Sequence, residues 1–228
     1  MISFPPVLAL VPAAGNSSRM GGCGCKPFLQ IGSKLVIERT VGTLLSSPYI
    51  EHLVVLSRSD DVDRFGKLGF DKRRVSIVPG GATRQQSVKA GLDYLALTFP
   101  ALKDSYILVH DAARCLTSPS LVSRMIEGAF QYKAVTAAIP LADSLKRVDD
   151  RLVVEESLKR EHLVAVQTPQ VFAYRLLQAA HEQAKVEATD DASLVEAIHP
   201  VQVILGEARN FKLTTPEDLE MARRLVED

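Results

Sequence analysis

Thiols are scarce in this chain: Cys23, Cys25 and Cys115 are the only three cysteines among 228 residues. An odd count without a disulfide-like spacing argues against a disulfide framework. No segment reads as a secretory signal, so a reduced compartment, the cytoplasm or a plastid stroma, is the expected setting. Cys23-Gly24-Cys25 is followed by no second Cys or His pair at a zinc-like spacing, which sets zinc aside. Neither charge sign is in excess, with 27 Lys and Arg against 27 Asp and Glu. Generic nucleic-acid binding, which leans on a basic surplus, is therefore not expected. No apolar run is long enough to cross a membrane. Two familiar phosphate-binding templates are missing as well: neither a full G-x-G-x-x-G nor a glycine loop ending in Gly-Lys-Ser/Thr occurs after the first strand. Their absence argues against a dehydrogenase and a P-loop ATPase. Internal repeats, low-complexity tracts and dividing linkers are absent too.

What remains supports one α/β domain over 1–228, since 46% hydrophobic and 24% charged residues suit a real core in an ordinary globular chain. Strand-like segments at 7–11, 52–57, 75–78, 106–109 and 134–139 alternate with helix-like ones at 34–46, 83–97 and 119–131, and a weaker one at 61–68. That alternation predicts a mostly parallel sheet covered by helices. Ser33, Ala82-Thr83 and Ser118-Pro119 supply helix starts. Residues 143–156 instead alternate polar and apolar side chains around Asp149-Asp150, which predicts a hairpin. A lone hairpin is marginal in water, so it is expected to project and meet a second copy of the chain. Helices at 173–185 and 190–197, a strand at 201–205 and a last helix from Thr215 complete the pattern.

Ligands of open α/β sheets lie at the carboxyl ends of the strands, and four polar clusters fall there. The first is the loop from Gly15 to Lys26 after the apolar run Val7-Leu8-Ala9-Leu10-Val11. Its glycines let backbone N–H groups approach an anion, and its two cations, Arg19 and Lys26, point to a polyphosphate. The second is Pro79-Gly80-Gly81-Ala82-Thr83-Arg84-Gln85-Gln86-Ser87, a glycine turn before a helix that could read a base edge or hold an anion. The third is His110-Asp111-Ala112-Ala113-Arg114. There Asp111 suits Mg²⁺ or a ligand hydroxyl, and His110 reads as a satisfied core histidine. The fourth is distributed over Arg160, Gln167-Thr168-Pro169-Gln170, Thr189-Asp190-Asp191-Ala192 and Lys212. Lys212 sits in an apolar, strand-like context where a cation needs an anionic partner, unless it snorkels to solvent.

Taken in order, these motifs resemble the 2-C-methyl-D-erythritol 4-phosphate cytidylyltransferases of the non-mevalonate isoprenoid pathway. The matching residues are Pro12-Ala13-Ala14-Gly15 with Arg19-Met20 and Lys26, Gly80-Gly81 with Arg84 and Ser87, and His110-Asp111-Ala112-Ala113-Arg114. Gln167-Thr168-Pro169-Gln170-Val171-Phe172, Thr189-Asp190-Asp191-Ala192 and Asn210-Phe211-Lys212-Leu213-Thr214 follow, leading to Pro216-Glu217-Asp218-Leu219. The resemblance implies a Rossmann-like sheet of the nucleotide-diphospho-sugar transferase type, with a hairpin arm at about 140–163 that joins a homodimer. It implies that CTP and methylerythritol 4-phosphate give the cytidine diphospho derivative and pyrophosphate, with Mg²⁺. Arg19, Lys26 and Lys212 would then be catalytic, and Ala13, Ala14, Gly15, Gly81, Ala82 and Ser87 would frame the nucleotide. Asp111, Ala112, Arg114 and Thr168 would face the acceptor, with Arg160 and Thr189 gripping its phosphate from the partner subunit, and Asp111 would be the candidate metal ligand. A ribitol 5-phosphate cytidylyltransferase and a non-catalytic nucleotide-binding regulator on the same fold are the alternatives. The chain departs from the family pattern at Cys25, Pro27 and Ala82, where proline, glutamine and an acid are usual. The first two changes bear on loop stiffness and thiol sensitivity.

Overall fold

Apolar, β-branched runs bounded by small residues form the strands of this protein, and amphipathic stretches between them form its helices. The computed structural model describes residues 4–15, 25–99 and 102–226. The chain runs β1 (Val7–Pro12), a short hairpin of β2 (Gln30–Ile31) and β3 (Lys34–Leu35), α1 (Val36–Leu45), β4 (Ile50–Ser57), α2 (Val62–Gly66) and β5 (Val75–Pro79). Next come α3 (Arg84–Thr98), β6 (Tyr106–Val109), α4 (Pro119–Tyr132), β7 (Ala134–Pro140), β8 (Leu145–Val148), β9 (Val154–Leu158) and β10 (Val164–Ala173). It closes with α5 (Tyr174–Gln183), α6 (Asp191–Val195), β11 (Gln202–Leu205) and α7 (Pro216–Leu225).

Seven strands make one sheet in the order β11-β7-β10-β6-β1-β4-β5. β1 pairs in parallel with β4 and β6, β4 with β5, and β7 with β11, while β10 runs antiparallel between β6 and β7. β1 lies inside this sheet, and its alternation supplies both layers of the core. Val7, Ala9 and Val11 pack with Ile37 and Val41 of α1 and Met125 and Ala129 of α4. Leu8 and Leu10 pack with Val88, Leu92 and Leu95 of α3 and Leu177 of α5. A strand covered on both faces has no need of polar alternation, which is why this one reads as a continuous apolar run.

The helix starts are local chemistry. Thr83 and Ser118 cap α3 and α4, their hydroxyls accepting from Gln86 N and Leu121 N. Thr215 accepts from Asp218 N, and the Asp218 carboxylate accepts from Thr215 N at 2.8 Å. Such caps stabilise a helix by about 1 kcal/mol each. Ser33 is not a helix start: β3 intervenes, and α1 begins after Leu35, whose N–H donates to Glu38 Oε2 at 2.8 Å.

β8 and β9 pair only with each other. Asp149 Oδ1 shapes their turn by accepting from Arg151 N at 2.9 Å and Val153 N at 2.8 Å. Around that turn Leu152, Val153 and Val154 are 81%, 60% and 56% exposed.

Two segments differ from the sequence reading. Residues 164–173 form a full strand inside the sheet where only a polar cluster was expected. Lys212 is not on a strand: residues 210–214 are an irregular segment docked beside β6 and β10. Its anchor is Asn210, fully buried, whose Nδ2 donates to Gln167 Oε1 at 3.1 Å and Thr168 O at 2.8 Å.

Candidate active site

β1 and β6 end side by side, and their carboxyl ends share a floor: His110 N–H donates to Leu10 O at 3.0 Å and Ala112 N–H to Pro12 O at 3.3 Å. β5 ends in the Gly80-Gly81 turn that leads into α3. Over these ends opens a cleft of about 790 Å³, open solvent at its mouth included. It is lined by Ala13, Ala14 and Gly15, by Lys26, by Gly81 and Ala82, by Arg84 and Ser87, and by Asp111, Ala112 and Lys212.

The turn on one wall requires glycine. A Cβ on Gly81 would sit 2.4 Å from Gln86 Cβ and 2.9 Å from Gln86 C. Ser87 staples the same turn, its hydroxyl donating to Thr83 O at 2.8 Å and accepting from Gly81 N at 3.1 Å. Ser87 is 1% exposed, so its part is to shape the wall. On the side of Lys26, a 3-10 turn at Lys26–Phe28 begins with buried Pro27 in its first turn. The Arg64 guanidinium lies 3.6 Å over the Phe28 ring, and that ring packs 4.6 Å from Phe65. Cys25 Sγ donates to Asp61 Oδ2 at 3.7 Å. Partial burial, then the Asp61 charge, push this thiol up. That favours the protonated form, the opposite of a reactive thiolate.

Asp111 is the charge hub. Lys212 Nζ approaches its Oδ2 at 2.8 Å, Arg84 Nε its Oδ1 at 3.3 Å and Arg114 Nε its Oδ2 at 3.7 Å. Burial alone would raise the carboxyl, but Lys212, then Arg84 and Arg114, hold it well below the usual carboxylate range. Arg84 turns its other edge to Asp191, Nη1 to Oδ2 at 2.7 Å, and the two acids outweigh burial to hold the guanidinium charged. Underneath, Thr168 Oγ1 accepts from Asp111 N at 3.0 Å and meets His110 Nδ1 at 3.1 Å. His110 Nε2 in turn lies 3.2 Å from Arg114 O, a pairing that fits a neutral imidazole with its proton on Nε2. Burial pushes His110 down to about 4. Arg114 Nη1 donates to Asn210 O at 2.8 Å, and Leu213 N–H to Ala113 O at 2.9 Å. These bonds present Lys212 to the cleft, its side chain 41% exposed.

The cleft thus brings together Ala13, Ala14, Gly15, Lys26, Gly81, Ala82, Ser87, Asp111, Ala112 and Lys212, as the sequence reading grouped them. Arg19 lies outside the described residues. Arg114 and Thr168 stand behind Asp111 and do not line the cleft. Arg160 and Thr189 are exposed and do not line it either; Arg160 Nη1 donates to Ala142 O. Arg84 and Asp191 are the residues the sequence reading left without a role. An arginine in the first position of a helix, where the dipole disfavours a cation, was the available signal.

Among the described residues the expected metal site comes down to Asp111. Asp111 is the one carboxylate lining the cleft among the described residues, and its two oxygens face three cations. No group of three His, Cys, Asp or Glu gathers anywhere among those residues. That donor set makes no all-protein Mg²⁺ cage; a single carboxylate holds Mg²⁺ only together with substrate phosphates and waters.

Fold and cleft together define a parallel-sheet α/β protein that gathers cations and small residues at the strand ends, the arrangement of a nucleotide-handling transferase. Comparison with known proteins narrows this. The family model for 2-C-methyl-D-erythritol 4-phosphate cytidylyltransferase matches residues 7–228, and the chain belongs to that family. A protein of that name from Rhodococcus opacus (strain B4) is 42% identical over 98% of this chain and 96% of its own length. One from Thermosynechococcus vestitus is 37% identical over 96% of this chain and 94% of its own. Among solved structures, 4-diphosphocytidyl-2C-methyl-D-erythritol synthase from Anaerococcus prevotii superposes with a TM-score of 0.84 at 29% identity, covering 98% of this chain and 97% of that one. The 2-C-methyl-D-erythritol 4-phosphate cytidylyltransferase of Thermus thermophilus gives 0.77 at 34% identity, covering 96% and 98%.

Proposed function

We propose that this chain is a nucleotidyltransferase that joins CTP to 2-C-methyl-D-erythritol 4-phosphate in isoprenoid precursor synthesis. A phosphate oxygen of the acceptor attacks the α-phosphorus of CTP. The bond from that phosphorus to the leaving oxygen breaks, and pyrophosphate departs with the electron pair. No enzyme nucleophile is needed, so catalysis comes down to positioning and charge neutralisation. The observation that carries this reading is the cleft itself, where Lys26 and Lys212 arrive from opposite ends of the chain at one polyanion-sized space beside Asp111.

Lys26, with Arg19, steadies the triphosphate, and Lys212 takes the α-phosphate. The small side chains Ala13, Ala14 and Ala82, with Gly15 and Gly81, let the base approach backbone closely. Asp111 and Ala112 face the acceptor polyol, while Arg114 and Thr168 hold Asp111 from behind. Arg160 and Thr189 grip the acceptor phosphate from a second copy, joined through the hairpin β8–β9. Support for that joining is the apolar Leu152-Val153-Val154 tip, which this chain leaves exposed. Mg²⁺ enters as part of the nucleotide substrate, since the residues do not build a cage of their own. A cytoplasmic setting suits the substrates. No helix among the described residues is long and apolar enough to cross a membrane.

Pyrophosphate release tests the reading, run across the four nucleoside triphosphates with methylerythritol 4-phosphate and with ribitol 5-phosphate. Release with CTP and methylerythritol 4-phosphate alone is expected. Brisk release with ribitol 5-phosphate and none with methylerythritol 4-phosphate overturns the acceptor. Silence with every pair leaves a nucleotide-binding regulator. For the second copy, sedimentation should show a dimer that Val153→Asp with Val154→Asp breaks.

A further inference from the structure

The charges of the cleft continue into the protein behind it. Arg84 lines the cleft, but its Nη1 points away from Asp111 to Asp191 Oδ2 at 2.7 Å. Asp191 opens α6, is 0% exposed and does not line the cleft. Its other oxygen, Oδ1, accepts from His181 Nε2 at 2.9 Å. His181 lies in the last turn of α5, its side chain 2% exposed. The row is therefore Lys212, Asp111, Arg84, Asp191, His181, with signs alternating through the first four.

Nothing in the transfer chemistry calls for a buried acid and imidazole beneath the cleft. A buried carboxylate is tolerated only when it is paired and hydrogen-bonded, so its worth lies in what it holds. It holds Arg84. That arginine stands at the first position of α3, where the helix dipole repels a cation, and it is kept there by acids from two other parts of the chain. Without Asp191, Arg84 would have Asp111 as its one acid here and would compete for it with Lys212. With Asp191 present the guanidinium is divided between two carboxylates and stays on Asp111 Oδ1, and Oδ2 is left to Lys212, to Arg114 at 3.7 Å and to the acceptor.

We propose that Asp191, backed by His181, is a positioning residue that fixes Arg84, and through Arg84 the aim of the Asp111 carboxylate, without touching either substrate. The proposal rests on the reading of Asp111 as the acceptor-facing acid. It predicts that the acceptor half of the cleft depends on residues behind its wall and the nucleotide half does not.

The test is steady-state kinetics on the full chain with Asp191→Asn, Arg84→Gln, both together, and Asp111→Asn as reference. Asp191→Asn should raise the KM for methylerythritol 4-phosphate between about tenfold and a hundredfold, the range in which displaced supporting groups act. The KM for CTP should stay within about twofold, the limit expected of separate sites. The double variant should be no worse than Arg84→Gln alone, because Asp191 acts only through Arg84. Losses that multiply, or a fall in activity that only tracks the folded fraction with KM unchanged, overturn the proposal. Should Asp191→Asn not fold, His181→Gln replaces it, with a smaller rise in the same KM expected and an unchanged KM overturning the proposal. Asp111→Asn separates the two readings. If it leaves the acceptor KM untouched, the placing of the acceptor fails; if it raises that KM while Asp191→Asn does not, only the relay fails.

Discussion

Replacing Asp111 by Asn removes the one negative charge that Lys212, Arg84 and Arg114 share at 2.8, 3.3 and 3.7 Å. The amide keeps the shape but leaves three cations facing a neutral group, with Asp191 as the remaining acid on Arg84. Removing one partner of a buried charge pair costs about 3–5 kcal/mol. In a chain of this size each kcal/mol lowers Tm by about 2–4 °C, so the expected drop at pH 7 is roughly 6–20 °C. The pH dependence has a definite sign. The folded carboxyl lies well below its ordinary value, so its stabilisation is fully present above the unfolded value near about 3.9 and is lost as pH falls through the folded one. The gap between the proteins should therefore be level from pH 7 to about pH 5 and narrow only below about pH 4. Thermal melts of both proteins by circular dichroism, in steps from pH 7 to 3, measure this. A drop under about 2 °C at pH 7, or a gap that already closes by pH 5, refutes Asp111 as the charge hub.

Lys26→Ala should lower kcat by about 10²-fold, or about 3 kcal/mol, if the lysine supports charge building in the transition state; an unchanged kcat in a stopped assay of pyrophosphate release removes that role. Gly81→Ala places a Cβ 2.4 Å from Gln86 Cβ, so a destabilisation of about 1–3 kcal/mol and a raised KM for CTP are expected, and wild-type values for both contradict a close-packed turn. His110, pushed down to about 4 by burial, stays neutral in the fold while the unfolded imidazole takes a proton near about 6.5. Stability is then lost as pH falls from about 6.5 to about 4, by about 3 kcal/mol from this group. His110→Gln should flatten that part of the urea-unfolding profile, and an unaltered slope assigns the loss elsewhere.

The parallel half of the sheet was legible because β1, β4 and β6 are buried along nearly their whole length and announce themselves as apolar runs, while β5 at the sheet edge is a short apolar run bounded by a glycine turn. β10 was not, because Gln167-Thr168-Pro169-Gln170 puts polar residues and a proline inside a strand, where proline cannot give the ladder its N–H. The structure resolves the conflict with a bulge. Gln167 pairs with Ala137 and Gln170 with Thr136, so Thr168 and Pro169 drop out of the ladder and Thr168 turns beneath Asp111. The cleft lining was legible from the clusters at the strand ends. The pairing of Arg84 with Asp191 was not, since 107 residues separate them and Asp191 also suits an ordinary helix N-terminus. The sequence marks Lys212 as a cation that needs an anionic partner or snorkels to solvent; that Asp111 is such a partner follows only from Asn210 docking its segment.

The proposed function places CTP in this cleft with its phosphates between Lys26 and Lys212. A crystal structure of the protein with CTP and Mg²⁺ tests it most directly. Cytosine is expected against the 13–15 and 81–82 backbone, the α-phosphate in contact with Lys212 Nζ and Lys26, and the metal on phosphate oxygens. A nucleotide bound elsewhere, or phosphates that reach neither lysine, contradicts it.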